Sequence, residues 1–460
     1  MQKNLFYGSL MDMLDSKDPL VVLADTIKWS KFEDEFAQYY SKEGRPAKPI
    51  RLMVGLLLLK QLENLSDENV VIAWKRNPYF QYFCGFSDFQ TALPCHSTDL
   101  VYFRNRIGKK GFEFIFKHSI EIHSNENLNE SQVIADTTIQ ESNLTYPTDG
   151  KLAIKIINHL HKIVKVENIK LRRSYIKEIK QHRINLRFFR HPKKIIKAKA
   201  SMKRLRTIAK TILRDIDRKF GDNLELHNKY ATKFYLYIRV LLQEKNTKNK
   251  IYSLHEIDAY AVNKGKDHKG YEYGTKASVV TTKNSGIIVG VSAHRENEHD
   301  SKTLKLALEN TISNLGSKTI NEVICDRGYR GSKQIIINNE TVIDISIPSN
   351  LQKKDTTKQI NIKKEKFRRR AAIEPIIGHL KSDHRMQRNY LKGFIGDQIN
   401  LLLAATAFNL KKWMNIYFYA FFTGNLFLLK EAYQQLQHQK ELIMFLLQLK
   451  ITMKFSNLDY

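Results

Sequence analysis

Three acids in this sequence have the type and surroundings to do chemistry together. Asp136 closes "VIAD", Asp326 closes "VICD", and Glu374 lies inside "FRRRAAIEPIIGHLK". Each aspartate follows apolar residues that read as a buried strand, where an acid is costly unless paired, hydrogen-bonded or bound to metal. Taken singly, each aspartate reads as the cap of a turn, and "DRGY" carries the glycine a turn uses. Glu374 taken singly reads as an ion-pair partner for Arg368, Arg369, Arg370 or Lys381. Taken together they describe something else. Carboxylates converging from two strand ends and one helix suit a pair of Mg²⁺ ions, which take oxygen ligands and keep exchangeable waters. Two such ions, about 3.5–4 Å apart, clamp the attacking and leaving oxygens of a displacement at phosphorus. The neighbouring cations then bind non-bridging oxygens and flanking phosphates.

Helical spacing tests the Glu374 segment. At about 100° per residue, Lys381 falls about 20° from Glu374 and Arg370 about 40° from it. Pro375 removes a backbone donor and disfavours helix at Glu374, so the helix begins or kinks there. The Glu374–Lys381 relation is therefore the firmer of the two.

The elements that must position these residues follow from pattern. The first 125 or so residues read as helical. "RPAKPIRLMVGLLLLKQLENL" runs apolar at helical spacing after two prolines, Ser66 is placed to cap "DENVVIAWKRN", and Ser97 or Thr98 to cap "DLVYFRNRIG". Short capped helices of this kind suit a helix-turn-helix-like bundle, with Arg104 and Arg106 as either DNA contacts or solvated face residues. At "SQVIADTTIQESN" the pattern changes to a strand ending on Asp136, followed by an edge strand or loop. From 251 it is again β: "YEYGTKASVVTT" and "GIIVGVSAHREN" form a hairpin across "KNS". A helix "HDSKTLKLALENTISNL", strands in "NEVICDRGYRG" and "TVIDISIPS", a helix over about 365–390 and the helix "GDQINLLLAATAFNLKKWM" complete an α/β layout with a mixed sheet.

Between the two β regions lies a basic tract. Residues 151–220 hold 23 Lys and Arg against 4 Asp and Glu, at helical periodicity. A charge run is usually a solvated face, but one so lopsided repels itself unless a counter-charge arrives, which favours a helical insertion lying along a nucleic-acid backbone. The whole chain agrees: 76 Lys and Arg against 47 Asp and Glu give a formal charge of +29, and a surface so positive attracts polyanions. Three cysteines, Cys84, Cys95 and Cys325, lack metal-ligand spacing and point away from a disulfide scaffold or zinc site, towards a reducing compartment. No secretion signal is legible, and "MNIYFYAFFTGNLFLL" is interrupted by polar residues and too short to span a membrane, so it reads as packing helix.

These blocks resemble the DDE-type bacterial transposases of insertion sequences, closely those of insertion-sequence family five. That family carries a Tyr-x2-Arg-x3-Glu-x6-Lys signature around its third carboxylate. Phe367, Arg370, Glu374 and Lys381 stand at that spacing, with Phe in place of Tyr and so without one hydroxyl contact to DNA. "DTTIQESNLTYPTD", "KGKDHKGYEYGTK", "NEHDSKTL" and "DRGYRG" resemble further family blocks in the same order, and the likeness runs from about 40 to 414.

The resemblance implies a ribonuclease-H-like (retroviral-integrase-like) catalytic core. In it Asp136, Asp326 and Glu374 are the catalytic metal-binding residues, with Mg²⁺ as cofactor and Mn²⁺ as a substitute. It gives Arg370 and Lys381, with Arg368 and Arg369 beside them, as contacts to double-stranded DNA at the element's terminal repeats. It also implies a preceding helical domain for DNA binding or dimerisation, target DNA as second partner, and a homodimer in the DNA complex. The setting implied is the cytoplasm of a bacterium, at the nucleoid and away from membrane. The expected division is a helical domain over 1–125, a catalytic domain over 126–152 and 251–412, a basic helical insertion over 153–250 and a helical tail over 413–460. The rival expectation is a catalytically inactive or domesticated relative that binds DNA without cutting it. Lys276 and the His299–Asp300 pair receive no chemistry, and Asp300 reads as a helix N-cap rather than a ligand. His268 and His379 read as ordinary polar residues.

Overall fold

The computed structural model describes residues 9–422 except 41–42, 44–45, 125–127, 190, 245, 267–268, 317–319, 332, 338–340, 350–351 and 353–354. His268 and the tail from 423 onward therefore lie outside the described residues. The chain begins with helices α1 (Leu10–Met13), α2 (Pro19–Thr26), α3 (Trp29–Ala37), α4 (Ile50–Leu62), α5 (Asp67–Arg76), α6 (Pro78–Phe83) and α7 (Ser97–Glu121). Strand β1 (Gln132–Ser142) leads into α8 (Asp149–Val166), α9 (Ile176–Asn185), α10 (Ile195–Phe220) and α11 (Leu224–Leu242). Then come β2 (Tyr260–Lys266), β3 (Lys269–Thr282), β4 (Ile288–His294), α12 (Asp300–Leu315), β5 (Glu322–Ile324), β6 (Gln334–Ile337) and β7 (Thr341–Ser346). The last elements are α13 (Thr357–Ala371), α14 (Ile373–Ser382), β8 (Arg388–Asn389) and α15 (Gly393–Phe422).

The strands form one mixed sheet in the order β2-β3-β1-β5-β7-β6, with β4 also on β3 and β8 also on β1. β1 pairs antiparallel with β3 and parallel with β5, which is parallel to β7 in turn. The β3–β4 hairpin forms where the alternating pattern predicts it. α12 packs tightly on it, because Gly290 has no side chain: a methyl there would meet Thr311 Oγ1 at 2.0 Å. β6, whose residues are mostly exposed, was not anticipated. α15 runs from the sheet to the N-terminal helices, packing on β4, α4, α7 and α2. Its Asn409 serves the backbone of Ile288, taking the N–H on Oδ1 at 3.0 Å and donating from Nδ2 to the carbonyl at 2.8 Å. No helix among the described residues is long and apolar enough to cross a membrane.

The helices between β1 and β2 bury an apolar cluster distinct from that of the sheet. Leu205, Ile208, Ile212 and Ile216 of α10 meet Ile156, Ile157 and Leu160 of α8, and Phe220 stacks on Phe234 of α11 at 5.9 Å. The four acids of the basic tract are engaged locally: Glu178 with Arg204 at 2.6 Å, Glu167 with Lys229 at 2.8 Å, Asp215 with Arg218 at 2.8 Å, and Asp217 near His227 at 3.6 Å. The excess positive charge of the tract is thus not neutralised from within it.

In the N-terminal helices, α4 is buried almost all round and shows no polar stripe. Ser66 caps α5 as expected, Oγ accepting from Asn69 N at 3.1 Å. The cap of α7 is neither Ser97 nor Thr98 but His96. Thr98 N donates to His96 Nδ1, and His96 N donates to Asp99 Oδ2 at 2.9 Å. This register wins because Asp99 at the third helical position can reciprocate, whereas a cap at Ser97 would place Leu100 there. Arg104 is neither a DNA contact nor a solvated face residue. It is 4% exposed and grips Asp67 with both nitrogens, at 2.9 and 2.5 Å, while Lys60 Nζ reaches the same carboxylate at 2.8 Å. Arg106 lies over the Tyr40 ring at 4.7 Å. Burial pulls the Lys60 amine down to about 8, with Asp67 acting against that fall. Removing Asp67 leaves two buried cations without their counter-charge. Asp67→Ala is expected to cost about 3–5 kcal/mol, read as a lowered midpoint in urea denaturation; an unchanged midpoint would show that the pair is dispensable.

Candidate functional site

Strand register brings the two aspartates to one place. Ile134 and Ile324 are the last parallel pair between β1 and β5, and two residues further on, on the same face, come Asp136 and Asp326. β1 does not end at Asp136, as the sequence suggested. It continues to Ser142, paired with β3 from Val133 to Glu141, while β5 stops at Ile324. What ends at Asp136 is the parallel neighbour, so the acid sits mid-strand in a central strand where the sheet opens on one side. Asp136 Oδ1 accepts from the Thr137 amide at 2.7 Å. Asp326 Oδ1 accepts from Gly328 N at 2.8 Å and caps the turn Arg327–Tyr329. The turn-cap reading thus holds for one oxygen of Asp326. Cys325 points to the opposite side and is fully buried; burial, then the charges of Asp326 and Asp136, push its thiol far up.

Glu374 reaches this opening because of the residue before it. Ile373 is fully buried and packs on Ile134 and Ile324, with Ile377 beside it. These isoleucines lie under the acids, one step back in each element, and they seat the start of α14 against the sheet. α13 and α14 part at Ala372, and Pro375 falls in the first turn of α14, where a missing N–H breaks no helical bond. Arg370 bridges the break. Its Nη1 lies 3.1 Å from Glu374 Oε1 and its Nη2 4.0 Å from Asp326 Oδ2. The Arg370–Glu374 relation, the weaker one by helical spacing, is a direct contact. Lys381 stands two turns along α14, and Arg368 is exposed on the last turn of α13 beside the half-buried Arg369. His379 pairs with Asp383 at 2.7 Å on the surface.

As donors, three carboxylates fit a hard divalent cation. As they stand, no group of three His, Cys, Asp or Glu side chains among the described residues is arranged to hold one. A guanidinium lies between two of the acids instead. The donor chemistry fits, and loading requires Arg370 to yield Glu374 and Asp326.

Asp300, which reads in the sequence as an N-cap, and Lys276, which receives no chemistry there, meet Thr137 beside the site. Asp300 is not the cap of α12; His299 is, its ring accepting from Ser301 N at 3.4 Å. Asp300 Oδ1 accepts from Thr137 Oγ1 at 2.9 Å and from Lys276 Nζ at 3.0 Å. Lys276 also donates to the Glu298 carbonyl at 2.6 Å. His294, opposite Lys276 in the sheet, is shifted towards the neutral form: burial and then the Lys276 charge lower it to about 4, and its Nε2 and Ser278 Oγ are hydrogen-bonded at 2.8 Å.

Comparison with known proteins gives the family. Residues 8–106 match the family described as Transposase domain (DUF772), and residues 248–410 match the Transposase DDE domain. An uncharacterised protein, ORF8 in the nfe locus of Rhizobium meliloti, is 38% identical over 194 residues, which is 41% of this chain and 94% of that protein. No solved structure matches the chain. The chain belongs to the DDE-type transposases of insertion sequences, proteins that bind and recombine DNA. The DDE domain implies the ribonuclease-H-like fold, and the mixed sheet and helical N-terminal region accord with it.

Gly328 is the tightest point of the site. A methyl there would come within 3.0 Å of both Asp300 Oδ2 and Asp326 Oδ1. Gly328→Ala must therefore move a carboxylate by some tenths of an ångström. The variant is expected to fold normally by circular dichroism yet lose about 10- to 100-fold in DNA recombination activity, because small misplacements of reacting groups are that costly. Wild-type activity in this variant would show that the Asp326 turn tolerates displacement.

Proposed function

We propose that the protein is the transposase of a family-five-like insertion sequence, cutting at the element's terminal repeats and joining the freed ends to target DNA. In this reading Asp136, Asp326 and Glu374 hold two divalent ions, Mg²⁺ or Mn²⁺. Those ions supply a water nucleophile at neutral pH and charge neutralisation at phosphorus. The observation that supports the proposal is the seating of Ile373 on Ile134 and Ile324, residues that closely precede Glu374, Asp136 and Asp326 in distant parts of the chain.

The surrounding residues have separate tasks. Arg370 releases the carboxylates as DNA and metal arrive and turns its guanidinium to a phosphate, for which its fork of donors is suited. Arg368, Arg369 and Lys381 take flanking phosphates. The helices over 153–250, in which Glu167, Glu178 and Asp215 are engaged in local ion pairs, form a basic insertion in the ribonuclease-H-like core and lie along the duplex. The N-terminal helices over 1–125 bind DNA or bring two copies together, since two ends must be synapsed. Cleavage and joining are both displacements at phosphorus, so one acidic site serves both.

Purified protein incubated with a duplex of the element's own terminal repeat is expected to nick it with Mg²⁺ and not with chelator. Asp326→Ala should abolish nicking while leaving the gel shift of the DNA intact. If wild-type protein shifts the duplex identically with Mg²⁺ and with chelator and never cuts it, the chain is an inactive DNA binder. If Asp326→Ala still cuts, the proposed metal site is wrong.

A further inference from the structure

Asp300 stands where three parts of the site meet. Its Oδ1 takes hydrogen bonds from Thr137, the residue after Asp136, and from Lys276 on β3. Its Oδ2 borders Gly328, whose amide holds Asp326 Oδ1. One carboxylate at the start of α12 thus touches the strand beside one proposed metal ligand and the turn held by another. Lys276 is only 7% exposed, so its charge has little water to turn to, and the pair with Asp300 is costly to break from either end. The neighbouring Tyr329 is buried in the same region. Its hydroxyl has no hydrogen-bond partner among the described residues, and burial, then Cys325, Asp136, Asp300 and Asp326, push it far up. Lys276 and Tyr329 thus line a buried flank of these acids, where a fixed counter-charge is little screened.

From this we infer that Asp300 is a positioning residue for divalent-metal binding: clamped by Lys276, it holds the Thr137 side of β1 and the Gly328 turn at the separation that lets Asp136 and Asp326 share an ion. The inference rests on the proposed acidic triad. Asp300 itself ligates nothing; it works through Thr137 and the turn, as outer groups do when they orient metal ligands. Lys276 keeps the clamp neutral, so the site gains geometry without a further negative charge.

A double-mutant cycle on Mn²⁺ affinity tests this, using the full-length protein bound to its terminal-repeat duplex, with Mn²⁺ taken up by the duplex alone subtracted, and reading free Mn²⁺ by electron paramagnetic resonance. Asp300→Ala is expected to weaken Mn²⁺ binding by about tenfold or more. Thr137→Val, which removes only the hydroxyl, should weaken it several-fold, and the double variant should be no weaker than Asp300→Ala alone, because both changes cut the same link. A merely structural loss would instead add. If Asp300→Ala fails to fold, Thr137→Val carries the test by itself, and wild-type affinity in it overturns the inference. Asp326→Ala is the reference. If it loses Mn²⁺ while Asp300→Ala and Thr137→Val retain wild-type affinity, the positioning role is refuted and the triad stands. If Asp326→Ala also binds as wild type, the triad reading fails and this inference with it.

Discussion

Like charges held close together repel, and the arrangement of this site follows from that constraint. Asp136, Asp326 and Asp300 approach one another where β1 loses its parallel neighbour, and Glu374 joins from α14. Two cations offset them. Arg370 lies between Glu374 and Asp326, and Lys276 is clamped on Asp300. The apolar layer beneath supplies the force that opposes the repulsion: Ile134, Ile324 and Ile373 are buried together, and each is one or two residues from an acid. Burying such side chains stabilises by about 1.5–3 kcal/mol each, comparable with the cost of keeping carboxylates close. Apolar and ionic contacts are thus alternated along the same short segments.

The rest of the fold makes this opening rigid. β1 is central and paired along nearly its full length with β3, so Asp136 is fixed by backbone bonds that do not depend on β5. α15 ties the sheet to the N-terminal helices through buried polar contacts. Thr275 and Asn389 donate to the Asp397 carboxylate, Asn400 donates to Gln140, and Gln61 of α4 donates to Asn400 Oδ1. Burial raises Asp397 to about 6 despite these donors. Polar groups inside a core cost stability unless matched, and matched ones specify a single packing. The two regions that match separate transposase families accordingly share one apolar core.

Much of this was legible in the sequence, for identifiable reasons. Hydrophobic runs with caps and turns located nearly every long element, and apolar segments ending in acids located the carboxylates. The misses share a cause. Asp136 looked like a strand terminus because the apolar run stops there, but β1 continues through polar residues that satisfy themselves against β3 and α15. Arg104 looked like a surface residue because its partners Asp67 and Lys60 are distant in sequence. Asp300 looked like a cap because helix starts favour Asp, yet His299 caps and Asp300 turns inward to Thr137 and Lys276. Local rules say nothing about long-range partners, which depend on which strands lie side by side.

Arg370 removes an apparent choice between two readings of Glu374. By spacing alone Glu374 is either an ion-pair partner or a metal ligand, and its 3.1 Å contact with Arg370 is plainly an ion pair. On the proposed mechanism that pair is the resting form of the same site. A guanidinium is a weaker counter-charge than two divalent ions, it is tethered four residues from the acid it holds, and its other natural partner is a phosphate. When DNA supplies that phosphate, Arg370 can exchange one anion for another at little electrostatic cost, and the carboxylates it leaves are already seated by the isoleucine layer. Pairing and metal ligation then become successive states of one carboxylate, and the arginine that occupies the site at rest becomes the group that reports the arrival of substrate.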